Sequence, residues 1–187
     1  MNIKPHSHNR RTVRLREFDY SWPGGYYVTF CTHERECWFG QIIGNGIRLT
    51  SLGEVAGRYW REMPSHHPKT ELDSFVVMPN HLHGIIILTD TEPPNRRNVQ
   101  LNVPTANINY SKISPQQRSL SVIVRTYKAA VTTWGRARGY AKFRWQQRFY
   151  DHVIRNEQDL HRLRHYIANN PMRWALDEEN PAIIRDY

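Results

Sequence analysis

The sequence predicts an α+β domain, an antiparallel sheet with helices packed on it. Apolar residues recur at strand spacing in some stretches and at helix spacing in others. The resulting order, strands, helix, hairpin, helix, strand, helix, is that of an α+β sandwich. With 187 residues, 39% of them hydrophobic, the chain is long enough for one domain with a real core. The expected division is a basic arm over 1–18, a body over 19–175 and a tail over 176–187.

The arm carries Arg10, Arg11, Arg14 and Arg16. It reads equally as a segment that meets a phosphate backbone and as a disordered end. Gly24 and Gly25 release a strand over 26–33, with Tyr26, Val28 and Phe30 on one face and Tyr27, Thr29 and Cys31 on the other. A hairpin follows, 38–43 and 47–49 around Gly44-Asn45-Gly46. Ser51 and Glu54 form a capping box for a helix whose core face is Leu52, Val55, Ala56, Tyr59 and Met63, with Pro64 expected to end it.

Residues 76–88 read V-V-M-P-N-H-L-H-G-I-I-I-L, two apolar runs joined by Pro79 and Asn80, the signature of a buried hairpin. Residues two apart on a strand share a face, so His81 and His83 project together while Leu82, Gly84 and Ile86 face away. Residues 90–111, rich in Pro, Asn and Thr without periodicity, read as a long mobile loop. Residues 114–117 look like a helix start, and Leu120, Ile123, Val124, Tyr127, Val131 and Trp134 mark one apolar face until Gly135. Residues 136–148 mix Arg and Lys with aromatics including Trp145, and Phe149 follows directly. That composition suits phosphate contact with base stacking, or a basic surface turn with a few core aromatics. A last strand over 149–154 precedes a helix capped by Asn156, with Leu160, Leu163 and Ile167 as its core face and Pro171 as its bound.

The formal net charge of +9 points to a polyanionic partner. No apolar run reaches membrane-spanning length, so nucleic acid is favoured over a membrane surface. Cys31 and Cys37 are too few for a disulfide framework, which fits a reducing cytoplasm.

Two imidazoles on one rigid surface are half of a divalent-metal site. Tyr166 and Asn170 lie one helical turn apart, so the Asn170 carbonyl can supply a third ligand and Tyr166 a nucleophile. Read from the residues alone, the same pair is more simply packing and helix-end chemistry. Two imidazoles and an amide oxygen suit Mg²⁺ or Mn²⁺, and zinc also fits. Tyr127 sits within an apolar stripe, and Tyr150 has no amide at helical spacing. His161 and His165 also share a face but lack the glutamate of a metalloprotease motif, and Arg162 and Arg164 crowd them. Arg125, Lys128, Arg144 and Arg148 are the candidate DNA-backbone contacts.

The strings Y-Y-V-T-F-C-T-H, V-V-M-P-N-H-L-H-G-I-I-I-L, W-Q-Q-R-F-Y-D-H-V-I-R-N-E and L-R-H-Y-I-A-N-N-P together resemble the REP-associated tyrosine transposases, relatives of insertion-sequence transposases that use one tyrosine on single-stranded DNA. The resemblance covers about residues 26–171. It implies a ferredoxin-like HUH endonuclease fold in which His81 and His83 correspond to the metal-binding histidines, Tyr166 to the nucleophile and Asn170 to the polar third ligand. It further implies metal-dependent cleavage and rejoining of single-stranded DNA beside hairpins through a 5′-phosphotyrosine. The implied target is repetitive extragenic palindromes, and the implied setting a bacterial, nucleoid-associated protein, as a monomer or a homodimer. Two other readings remain: a binding module of the same fold without cleavage, and a nuclease that uses metal-activated water.

Overall fold

The computed structural model describes residues 20–90 and 119–183. Its elements are β1 (Gly24–Cys31), β2 (Gly40–Ile43), β3 (Gly46–Leu49), α1 (Ser51–His66), β4 (Thr70–Val77), β5 (His81–Leu88), α2 (Leu120–Arg136), β6 (Tyr150–Ile154) and α3 (Glu157–Asn169). A 3₁₀ segment, Pro171–Leu176, follows α3. The expected arm over 1–18, the loop over 90–111 beyond Asp90, and the helix start at 114–117 lie outside the described residues.

The main sheet has the order β4-β5-β1-β6, antiparallel throughout, and β2 and β3 form a separate hairpin. The fold class is therefore the expected one. Because strand side chains alternate, the sheet has two differently furnished faces. Tyr26, Val28, Phe30, Leu82 and Ile86 join the large core with Leu52, Ala56 and Trp60 of α1 and Ile123, Val124 and Tyr127 of α2. On the other face Tyr27 and Ile85 meet Leu163 and Ile167 of α3 in a smaller cluster. Trp60 is fully buried against Phe30, Phe75 and Tyr127. Each such core side chain contributes roughly 1.5–3 kcal/mol by leaving water.

Three local expectations are corrected. The cap of α1 is Thr50, whose hydroxyl accepts from the Gly53 N–H at 3.2 Å. The Ser51–Glu54 spacing is thus displaced by one residue. Pro64 lies inside α1, which runs on to His66; so near the helix end, the missing N–H removes one bond without stopping the turn. The aromatics of the basic stretch are structural: Phe143 is fully buried, and Trp145 and Phe149 pack on the core instead of facing solvent for stacking. No helix among the described residues is long and apolar enough to cross a membrane.

Candidate metal centre and its tyrosine

Alternation along β5 places the two histidines as the sequence predicts. Leu82 and Ile86 enter the large core, while His81 (0% exposed) and His83 (3%) face the α3 side. Their rings are 4.4 Å apart between centroids. Gly84 takes the core-facing position between Leu82 and Ile86, where a Cβ would collide with the Trp60 ring. Tight packing behind the strand therefore fixes the height at which His83 stands.

Each histidine is oriented through Nδ1. Asn80 directs its Nδ2 hydrogens to the carbonyls of Arg35 (2.9 Å) and Glu179 (2.7 Å). Its Oδ1 therefore faces His81 Nδ1 at 2.8 Å and accepts from it, which assigns the proton to Nδ1 and the lone pair to Nε2. His83 Nδ1 lies 2.7 Å from Tyr27 Oη and 2.9 Å from Thr29 Oγ1. The Thr29 hydroxyl donates onward to Tyr27 Oη at 3.4 Å, leaving its own oxygen to accept from His83. Burial pushes the Tyr27 phenol far above its ordinary pKa, so it stays a neutral partner.

A carboxylate completes the group. One ligating atom from each of His81, His83 and Asp177 lies within 4.8 Å of the others, and Asp177 Oδ2 is 3.9 Å from His81 Nε2. The Glu179 N–H donates to Asp177 Oδ1 at 2.7 Å, turning the other oxygen toward the imidazoles. Glu179 is held in turn by Arg35 at 3.0 Å. Glu34 and Arg35 have φ of 53° and 57°, a left-handed pair of the strained kind found near functional sites; Arg35 offers both its carbonyl and its guanidinium here.

Two imidazole nitrogens and a carboxylate form a known divalent-cation donor set. Asn170, the expected third ligand, ends α3; it is 1% exposed, and its Oδ1 has no hydrogen-bond partner among the described residues. A buried carbonyl left in that condition fits a cation partner. Asp177 was missed by sequence reasoning because it falls in the segment read as a tail, outside any periodic element.

Helix α3 brings the tyrosine to this group. Tyr166 is 39% exposed, its ring 5.3 Å from His83 and 6.2 Å from Tyr27. The helix is fastened at both sheet edges. Arg164 grips Asp73 of β4 through Nε (3.0 Å) and Nη2 (2.6 Å), and Asp159 meets His152 of β6 at 2.7 Å. The Arg164 guanidinium holds the Asp73 carboxyl down at about 2.

The four basic candidates separate. Arg144 and Arg148 are exposed on the segment that leads into β6, and Trp145 bridges to Thr32 just beyond the end of β1 that pairs with His81. Arg125 is exposed on α2, in the layer opposite Tyr166. Lys128 is turned inward: Nζ donates to the carbonyls of Gln146 (3.0 Å) and Arg148 (3.1 Å) and lies 5.5 Å from the Phe30 and Trp145 ring centres. Burial lowers its pKa to about 8.

No protein-family model matches the chain. An uncharacterized protein of Haemophilus influenzae is 35% identical over 171 residues, 91% of this chain and 93% of that one. The solved structure of a REP-associated tyrosine transposase bound to a REP hairpin superposes with a TM-score of 0.54 at 21% identity, covering 86% of this chain and 73% of its own. A protein of Deinococcus radiodurans aligns at 14% identity and a TM-score of 0.47 over 83% of this chain and 97% of its own. By its likeness over nearly the whole length of both, the chain belongs to one family with the Haemophilus influenzae protein, and its domain has the fold of the REP-associated tyrosine transposase.

Proposed function

We propose that this chain is a metal-dependent endonuclease and transesterase of single-stranded DNA. In this reading it cleaves and rejoins strands beside hairpins through a 5′-phosphotyrosine, with repetitive extragenic palindromes as the target. The observation that carries the reading is the exposed Tyr166 ring 5.3 Å from that of buried His83, a member of the His81–His83–Asp177 group, within one chain. A solved structure of the same fold is a REP-associated tyrosine transposase bound to a REP hairpin, which supports the choice of substrate.

In this reading His81, His83 and Asp177, with Asn170 as a further ligand, would hold Mg²⁺ or Mn²⁺, which would offset charge on the scissile phosphate. The Tyr166 oxygen attacks phosphorus; its bond to phosphorus forms as the P–O3′ bond breaks. The phenol proton leaves and the 3′ oxygen gains one, giving a free 3′-hydroxyl. Phenol has a pKa near 10 and is a good leaving group, so the 3′-hydroxyl can reverse the step and rejoin the strand without a nucleotide cofactor. Arg144 and Arg148 bind the strand backbone at the site's end of the sheet, and Arg125, in the other layer, lies off that path. Lys128 acts by holding the segment that carries Arg148.

The test is a 3′-labelled single-stranded hairpin oligonucleotide mixed with protein and Mg²⁺ or Mn²⁺, resolved on a denaturing protein gel. A labelled adduct is expected from wild type, and none from Tyr166→Phe, from His81→Ala or in the presence of chelator. Cleavage that persists in Tyr166→Phe without an adduct would assign the site to water-based hydrolysis. Binding with neither product would leave a non-catalytic module.

A further inference from the structure

The sheet surface that carries His83 continues to an aromatic side chain that the proposed cleavage does not use. Strand register sets His83, Thr29 and Tyr150 side by side on β5, β1 and β6. Directly paired residues share a face and neighbouring strands lie about 4.8 Å apart, so the Tyr150 backbone stands on the order of 10 Å from that of His83, on the same surface. The Tyr150 ring meets Tyr27 edge-on at 6.2 Å, as the Tyr166 ring also does. Tyr150 is 41% exposed, and among the described residues β6 pairs with β1 alone and forms one edge of the sheet.

An open aromatic ring is an unusual choice for a sheet edge, where charge is the common device against unwanted pairing. Its setting suggests a reason. The exposed Arg148 lies two residues before it, its carbonyl pinned by Lys128 at 3.1 Å. A fixed ring face with a guanidinium close by in the chain is what binds an unpaired base together with its phosphate. We propose that Tyr150 is the stacking platform for an unpaired nucleobase flanking the scissile phosphate, with Arg148 on the adjoining phosphate. The inference rests on the single-strand reading above and adds a base subsite to it. Stacking uses the π-face that every base has, so the subsite tolerates any base without reading sequence.

The experiment scans 2-aminopurine through the unpaired flank of the hairpin oligonucleotide, with chelator present so that nothing is cut. Wild type is expected to quench fluorescence at one or two positions. Tyr150→Phe should keep that quenching, whereas Tyr150→Ala should lose it there and bind roughly tenfold more weakly. With an abasic nucleotide at the quenched position, wild type and Tyr150→Ala should bind alike, an equality that also shows the variant to be folded. In the labelled-adduct assay at saturating DNA, Tyr150→Phe should still form the Tyr166 adduct, which separates the platform from the nucleophile. Quenching unchanged in Tyr150→Ala, or a Phe variant as poor as the Ala variant, would overturn the platform. An adduct formed by wild type without Tyr150-dependent quenching would sink this inference alone. Failure of wild type to bind single strands would sink the reading beneath it as well.

Discussion

Asn80 is fully buried and uses its side-chain amide in three directions, toward Arg35, Glu179 and His81. Partners that orient a metal-binding histidine typically change metal affinity 10–100-fold. Asn80→Ala should therefore weaken Mn²⁺ binding by about that factor, read by isothermal titration of the DNA-free protein. Unchanged affinity would show that His81 needs no external orientation. At this scale the histidines were legible because strand alternation is a local rule: knowing that 81 and 83 lie on a strand settles their common face. Asp177 was illegible because no local rule links it to them. Its place depends on how the segment after α3 folds back on the hairpin, through Glu179 and the left-handed Arg35.

Helix α3 spans the sheet from one edge strand to the other, and its apolar stripe is narrow: Leu163 and Ile167 are its buried residues. Polar fastenings therefore count for more than they would on α1 or α2. The Asp73 carboxyl, held at about 2 against an ordinary value of about 3.9, stabilises the fold fully above pH 4, and that contribution is lost as pH falls through 2. Asp73→Asn should lower stability by about 1 kcal/mol at pH 7, the pair being partly exposed. In urea unfolding from pH 7 to 2, the gap between variant and wild type should close over the lowest two pH units. A gap constant with pH would mean that the pair does not act through charge. The helix itself was readable from its Asn156 cap, whose side chain accepts from the Asp159 N–H at 2.8 Å. Its anchors were not, because Asp73 and Ser74 fall where the β4–β5 register shifts between Leu72 and Phe75, and bulges are set by pairing geometry more than by composition.

Across the whole molecule, the helices α1 and α2 cover one face of the sheet and the candidate chemistry occupies the other. A single strand crossing the site can therefore meet Arg144 and Arg148 more readily than Arg125. Each phosphate neutralised on single-stranded DNA contributes about 0.7 to the slope of log K against log[salt]. Arg144→Ala and Arg148→Ala should each flatten the slope by about that amount, while Arg125→Ala leaves it nearly unchanged, as measured by fluorescence anisotropy across a salt series. Equal effects from all three would mean that the strand wraps both layers. The net charge of +9 pointed toward a polyanion but not to its path, since Lys128 contributes to the total while lying over Phe30 and Trp145. The separation of the donor group along the chain also has a consequence in time. Synthesis proceeds at about 5–20 residues per second, and it delivers His81, His83 and then Tyr166 before Asp177 exists. A nascent chain, or one ended before Asp177, therefore carries Tyr166 and both imidazoles without the acid that joins them, so under the proposed reading the donor group is complete only once Asp177 has been added.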